Sequence, residues 1–146
     1  MPKTIVLNTL TGAVSEYDNY PFQSITPTHA GATAGLFLMG GDTDAGQPII
    51  SSIQTGKTHW GSTLKKLLGA VYFSMKGEGN SELTVVGENA SYSYSFPVRD
   101  TGESRCTTGK GIRENYLAFR YRNTDGADFA LDRIEVPSST SKTRRV

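Results

Sequence analysis

Residues 90–96 alternate strictly between large aromatic and small polar side chains. Tyr92, Tyr94 and Phe96 are each separated by a serine. A period of two is typical of a β-strand that buries one face and exposes the other. This segment therefore predicts a strand whose aromatic face, including Tyr94 and Phe96, lies in a core and whose serine face meets water.

Two more strands are predicted immediately before this one. Residues 83–86 precede it across the short segment Gly87–Asn89, which suits a hairpin turn. Residues 71–75 precede those across a glycine-containing segment. The order predicts a meander, in which three consecutive strands pair with one another.

A second alternating segment covers residues 116–122. Leu117 and Phe119 fall on one face, with arginines on the other, and Asn123–Gly126 follows with the residue types of a turn. We expect Leu117 and Phe119 to be buried.

Residues 129–136 predict a further strand, in which the alternation of apolar and polar residues is interrupted. Phe129 and Leu131 share a face, but the next large apolar residue, Ile134, comes three positions later. One extra residue would restore the register, so a β-bulge is predicted near Asp132 and Arg133.

The composition favours strands throughout. Glycine, serine and threonine number 16, 14 and 17 of 146 residues, which argues against a helical bundle. Only residues 62–68 suggest a helix, of at most two turns, or else an irregular approach to the next strand. The predicted fold is all-β, a single antiparallel, jelly-roll-like β-sandwich with at most one or two short helical turns. Further strands are expected in the N-terminal third, at residues 4–7, 13–17, 22–25 and 35–39.

The predicted domain organisation is one sandwich over residues 1–136 and a polar, basic arm over residues 137–146. The arm has no apolar periodicity, so by itself it is expected to be mobile. Its candidate partner-docking residues are Lys142, Arg144, Arg145 and Val146.

Charge and cysteine content restrict the setting. Fifteen basic and 14 acidic residues give a net charge of +1, too balanced for a protein built around a nucleic-acid backbone. Cys106 is the only cysteine, which excludes an internal disulfide and a cysteine metal cluster. The apolar segments are too short for a signal peptide or a membrane helix. We therefore expect a soluble chain made in a cytoplasm, with no specific nucleic acid and no membrane as partner.

No segment carries a recognisable catalytic or cofactor site. Residues 51–58 resemble a phosphate loop but begin with Ser51 where glycine is required. Residues 40–46 space two carboxylates as a calcium loop does, without the later acidic ligand. Cys106 has no histidine near it in sequence. The prediction is no catalytic residue, no cofactor and no metal.

Four aromatic residues lie near glycines and polar residues, where rings often stack on sugars. The alternative is that they pack in a core or a subunit interface, where tyrosine and tryptophan are equally common. These residues are Tyr17, Tyr20, Phe22 and Trp60. The sequence leaves both possibilities open and favours the interface.

A set of short segments lies in a fixed order along most of the chain. The segments are Thr11–Tyr17, Gly35–Leu38, Gly41–Ile49, Thr55–Lys57, Trp60–Ser62, Gly109–Arg113, Gly126–Val136 and Arg144–Val146. In this order they resemble structural proteins of tailed-bacteriophage virions, particularly β-rich tail and tail-nozzle components. The resemblance extends over about residues 5–146.

This resemblance implies a β-sandwich that assembles with copies of itself and with other virion proteins and catalyses nothing. Proteins with this pattern are often much longer, and this region is then only a part of them. The resemblance therefore does not decide the position of this chain in the particle. It could be a tail component or a small protein that decorates or cements the capsid shell. A carbohydrate-binding module on the virion surface is a further alternative. The resemblance assigns no functional residue.

Overall fold

A computed structural model describes residues 3–18, 21–41, 43–44, 46–109 and 111–140, without the side chains of Lys3, Ser15, Tyr17 and Asp18. Every regular element among these residues is a β-strand, and all pairings are antiparallel. The all-β prediction is confirmed. The chain divides into two compact units, Met1–Gly41 and Asp42–Val146.

The first unit contains two small sheets. One is the ribbon of β1 and β2, and the other has the order β3-β4-β5. Their bounds are β1 Lys3–Leu7, β2 Val14–Asp18, β3 Ser24–Ile25, β4 His29–Ala32 and β5 Gly35–Leu38. Four of these strands were expected, and β4 was missed because its sequence, HAGA, has no large apolar residue.

The second unit contains twelve strands, most of them in residues 66–140. Their bounds are β6 Thr43–Asp44, β7 Gln47–Pro48, β8 Ser52–Gln54, β9 Lys66–Leu68, β10 Ala70–Gly77, β11 Asn80–Val86, β12 Ser91–Pro97, β13 Glu103–Thr107, β14 Arg113–Glu114, β15 Ala118–Asn123, β16 Phe129–Glu135 and β17 Ser138–Thr140. Strands β6 and β7 form a separate short ribbon.

The remaining strands form a four-stranded sheet and a three-stranded sheet, with a small third sheet beside the latter. The four-stranded sheet has the order β12-β11-β15-β8, and the three-stranded sheet has the order β13-β10-β16. The small sheet has the order β14-β9-β17. Its pair of β9 with β17 extends the pair of β10 with β16, because β9 directly precedes β10 and β17 follows β16.

Aromatic rings join the two larger sheets into one core, which makes the second unit sandwich-like. Phe73 of β10 stacks on Phe96 of β12, with ring centroids 4.8 Å apart. Tyr121 of β15 lies 5.7 Å from Phe73 and 4.7 Å from Phe129 of β16. The Tyr121 hydroxyl is satisfied by Ser81, at 2.7 Å.

The predicted faces are confirmed at three of the four named core positions. Phe96, Leu117 and Phe119 are 3%, 1% and 1% exposed, whereas Tyr94 is half-buried and packs against the core. The alternate serines of β12 are exposed.

The predicted meander is wrong in one connection. Strands β11 and β12 form the expected hairpin, but β10 belongs to the other sheet and pairs with β13 and β16. The chain leaves the three-stranded sheet at Gly77, the last residue of β10, whose φ is 143°. A Cβ there would lie 2.6 Å from the carbonyl oxygen of Asp128, so only glycine fits.

The predicted bulge is present. Ser74 of β10 faces Arg133, whereas Met75 faces Leu131, so Asp132 is the extra residue on β16. This places Leu131 and Ile134 against the core although they are three positions apart.

The short helix considered at residues 62–68 does not form. Residues 66–68 are strand β9, and the preceding segment is held by Lys66, whose ammonium donates to backbone carbonyls of that segment.

The sandwich expected over residues 1–136 stays a prediction. The core cluster of buried residues runs from Leu68 to Tyr121. Ser138–Thr140, expected in a mobile arm, form β17 and pair with β9. The arm residues Lys142, Arg144, Arg145 and Val146 lie outside the described residues.

Candidate functional site

Trp60 occupies a backbone conformation that bulky residues rarely adopt. Its φ is 48°, followed by 75° at Gly61. The Ser62 amide donates to the His59 carbonyl at 3.1 Å, which closes a tight turn with two left-handed residues. Such a conformation costs about 1–2 kcal/mol at a non-glycine residue, so the surrounding contacts must compensate.

Two contacts hold the Trp60 side chain in place. The indole N–H donates to the Leu117 carbonyl at 2.9 Å, and the ring meets Phe119 edge-on at 5.6 Å. Thr58 and Leu117 exchange backbone hydrogen bonds of 3.1 and 3.0 Å next to the turn. The ring is thereby fixed but remains 46% exposed.

Two further rings belong to neighbours in sequence: His59 precedes Trp60, and Tyr116 precedes Leu117, whose carbonyl accepts from the indole. Tyr116 is 42% exposed, and its ring lies 6.1 Å from that of His59. We call His59, Trp60 and Tyr116 the Trp60 surface. The Trp60 ring is fixed by its contacts with Leu117 and Phe119, and exposed aromatic rings are common in protein and ligand contacts.

A notch opens beside this surface. Its volume is about 30 Å³, enough for one water molecule or a methyl group. It is lined by Trp60, Lys66, Leu68, Leu117, Phe119, Val136 and Ser138. A ligand here would therefore rest on the surface instead of being enclosed.

Lys66 is the charged residue of the notch, and its ammonium is already satisfied. It donates to the carbonyls of Ser62, Leu64 and Asn115 at 2.5, 3.0 and 3.0 Å. The residue is 1% exposed, and burial lowers the pKa of its amine. Since all three protons have acceptors, Lys66 stabilises the loop and does not offer a free cation to a ligand.

The other residues considered as catalytic or binding candidates have structural contacts. Cys106 is fully buried, and burial raises the pKa of its thiol to about 11, which makes it a poor nucleophile. In the segment considered as a phosphate loop, residues 52–54 form β8, and Lys57 donates to the Gly87 carbonyl at 2.6 Å. The described residues contain no group of three His, Cys, Asp or Glu placed to hold a metal ion.

The calcium-like segment is only partly described. Thr43–Asp44 pairs with Gln47–Pro48 as β6 and β7, and Asp42 lies outside the described residues.

The four predicted aromatic residues fall in different units. Phe22 is half-buried in the first unit, with its ring 6.4 Å from that of Phe37, while Trp60 belongs to the second. The side chains of Tyr17 and Tyr20 lie outside the described residues. The sequence analysis did not identify Tyr116 or Lys66. The turn that holds Trp60 had one signal in the sequence, the pair Trp60–Gly61 with glycine at the second turn position.

A second notable surface lies in the first unit. Large aliphatic side chains are exposed there on short strands and in the turn between β1 and β2, with Leu10 the most exposed at 95%. They are Ile5, Leu7, Leu10, Val14, Ile25, Leu36 and Leu38. We call these seven residues the aliphatic surface.

No protein-family model, curated protein or solved structure matches this chain. Within the part of the chain that the structure describes, no helix has the length and apolar character of a membrane span.

Proposed function

We propose that this chain is a non-enzymatic structural component of a tailed-phage virion, at a tail or tail-nozzle position. The observation that carries the proposal is the exposure of the seven residues of the aliphatic surface, because monomeric proteins rarely leave much large apolar surface uncovered. Such surfaces are typical of chains that are covered by neighbours in an assembly. The ordered segments that resemble tail and tail-nozzle proteins supply the setting.

The Trp60 surface supports the same function as a second contact area. A strained turn is retained where the surrounding structure and a function require it. Here the strained turn places the Trp60 ring at the surface. The notch beside the ring has room for one small side-chain group of a partner. The partners proposed are copies of this chain and other virion proteins, with no specific nucleic acid and no membrane.

Mass spectrometry of purified virions of the encoding phage tests this function. We expect the chain in intact particles at a fixed stoichiometry that survives high-salt washing. Its absence from intact particles would overturn the proposal. An electron-microscopy map of the same particles would separate a tail position from the alternative, a capsid decoration or cement protein.

A carbohydrate-binding module on the virion surface is the second candidate, favoured by the exposed ring of Trp60. Trp60 is the only tryptophan, so its fluorescence reports directly on ligand contact. A glycan array with the wild type, Trp60→Ala and Tyr20→Ala tests this function, with Ile53→Ala as a control in the second unit. Binding that is lost in Trp60→Ala and kept in Ile53→Ala would support it. No binding, or binding unchanged by Trp60→Ala and Tyr20→Ala, would exclude it.

A further inference from the structure

Strand β12 forms one edge of the four-stranded sheet, and β11 is its one partner among the described strands. The amide of Gly87 donates to the carbonyl of Ala90 at 2.8 Å, next to the hairpin turn. Because hydrogen-bonded positions alternate along an antiparallel pair, this bond fixes which backbone groups of β12 point away from β11. They are the amides and carbonyls of Ser91, Ser93 and Ser95, which accept or donate no described hydrogen bond on that side. We call these groups the free edge.

The free edge lacks the features that protect other edge strands of the second unit. Proteins commonly prevent pairing at an edge with charged side chains, bulges, prolines or short strands. Strand β13 carries Glu103 and Arg105, β16 carries Arg133 and a bulge, and the other described edge strands of the unit have two or three residues. Strand β12 has seven residues, an uninterrupted register and no charged side chain, and its proline is the last residue, Pro97. It is therefore the edge best suited to accept a further strand.

Charges at the two ends of β12 indicate which strand fits and in which direction. Glu88 precedes β12 and Arg99 follows it, and both side chains are exposed. If β12 pairs antiparallel with β12 of another copy, the Glu88 end of each strand lies beside the Arg99 end of the other. Opposite charges then meet at both ends, whereas a parallel pair would bring like charges together.

We propose that β12 pairs antiparallel with β12 of a second copy, centred on Ser93, so that the two four-stranded sheets form one continuous sheet across a two-fold axis. Ser93 then pairs with its own copy, and Ser91 pairs with Ser95, for about six backbone hydrogen bonds. A pair centred on Ser95 would set Pro97, which has no amide proton, opposite Ser93. A pair centred on Ser91 would extend into the turn at Gly87–Ala90.

The same register brings aromatic side chains together. Tyr92 of one copy lies opposite Tyr94 of the other at positions without mutual hydrogen bonds, where Cα atoms are about 4.5 Å apart and side chains are closest. Both rings are half-buried and pack against the core of their own copy. The pairing therefore covers ring area that a single copy leaves exposed.

The inference deepens the proposed structural function and relies on it for its biological setting. The physical contact can be measured on the purified chain, without virions.

Sedimentation equilibrium of the full chain is the first test. The wild type should self-associate at micromolar concentration. Ser93→Pro keeps the pairing with β11, because the lost amide points outward, but it removes two central hydrogen bonds and places a ring at the contact, so association should weaken about 100-fold or more. Ser93→Ala is the matched control and should associate like the wild type, because the contact uses backbone groups. A wild-type chain that stays monomeric at about 100 μM, or a proline variant that associates normally, would overturn the inference.

Disulfide formation tests the register with milder substitutions. In the paired strands the Cα atoms of two Ser93→Cys chains lie about 5.5 Å apart, within the span of a disulfide, so oxidation with diamide should link them. The Cα atoms of two Ser91→Cys chains lie about 14 Å apart and should not link, whereas a mixture of Ser91→Cys and Ser95→Cys should. The native Cys106 is fully buried and does not compete. Absence of the Ser93→Cys link, or equal linking of Ser91→Cys alone, would contradict the pairing.

The two proposals can fail separately. A dimer held by β12, with the chain absent from virions, would remove the phage function and leave the contact. A chain present in virions but monomeric when purified would remove the contact and leave the function.

Discussion

Lys66 is a buried cation whose described partners are all backbone carbonyls. It ties the segment 62–64 to Asn115, which lies 49 positions after Lys66 in the chain. Replacing the ammonium leaves these acceptors without their donor, and an unsatisfied buried carbonyl costs more than the hydrogen bond gained.

Lys66→Met should therefore lower the free energy of unfolding by about 2–4 kcal/mol, although methionine has a similar length. Urea denaturation measures this loss. Lys65→Met, at the exposed neighbouring position, should stay within about 0.5 kcal/mol of the wild type. Equal effects of the two substitutions would mean that the Lys66 contacts contribute little.

Phe119 and Ser93 lie on opposite faces of the four-stranded sheet. Phe119 is 1% exposed and supports the Trp60 ring, whereas Ser93 is exposed and bonds only to Thr84 among its described contacts, at 3.0 Å. Phe119→Ala should cost about 3–5 kcal/mol, and Ser93→Ala less than about 1 kcal/mol. Comparable losses in thermal or chemical unfolding would show that the faces are assigned wrongly.

At the scale of elements, the bulge in β16 permits a test by deletion. Removing Asp132 makes Phe129, Leu131 and Ile134 follow a strict period of two, so each keeps its face and its partner on β10. This deletion should change stability by less than about 1.5 kcal/mol. Removing Ala130 instead places Phe129 and Leu131 on opposite faces and should cost several kcal/mol, on the order of a lost core side chain.

The melting temperatures of the two deletion variants decide this point. A large loss on removing Asp132 would show that the added twist of the bulge, and not only its register, is required for packing.

The C-terminal segment gives a second test at this scale. Deleting residues 141–146 should shift the melting temperature by less than about 2 °C, because the core and β17 remain. Deleting residues 138–146 also removes β17 and its pairs with Lys66, Leu67 and Leu68, so a fall of about 3–6 °C is expected.

Differential scanning calorimetry compares the two truncations. A large effect of the shorter deletion would show that Lys142, Arg144 and Arg145 belong to the fold and not to a docking arm. If they do form a docking arm, Arg144→Ala with Arg145→Ala should reduce incorporation into particles while the melting temperature is unchanged. The difference from the wild type should be smaller at high salt, because salt already screens exposed ion pairs of the wild type.

At the scale of the whole molecule, Cys106 reports on opening of the entire core. Its thiol is fully buried, and its pKa is raised to about 11, so only an unfolded chain should react readily. Labelling by a thiol reagent should be slower in the native protein than in urea by about 10³-fold or more. Ser91→Cys adds an exposed thiol that should react at once, and fast reaction of Cys106 without denaturant would point to local opening around β13.

Local pattern predicted which residues face the core and the hairpin of β11 and β12, but not the partners of β10. The serine alternation set the faces of β12, and the three-residue step from Leu131 to Ile134 located the bulge. Alternation carries no information on the partner strand, so β10 was assigned to the wrong sheet. Lys66 could not be predicted as buried because its acceptor at Asn115 is distant in sequence.

The central strand of the three-stranded sheet has consequences for the timing of folding during synthesis. Val71 pairs with Cys106, and Phe73 pairs with Ile134, so β10 gains its second neighbour only when β16 is available. Such distant contacts raise the contact order, and proteins of this kind fold over milliseconds to seconds. Until β16 has been synthesised, the apolar side and one unpaired edge of β10 are exposed to other nascent chains. Slower translation of residues 78–135 should therefore increase the fraction of the protein that aggregates before it folds.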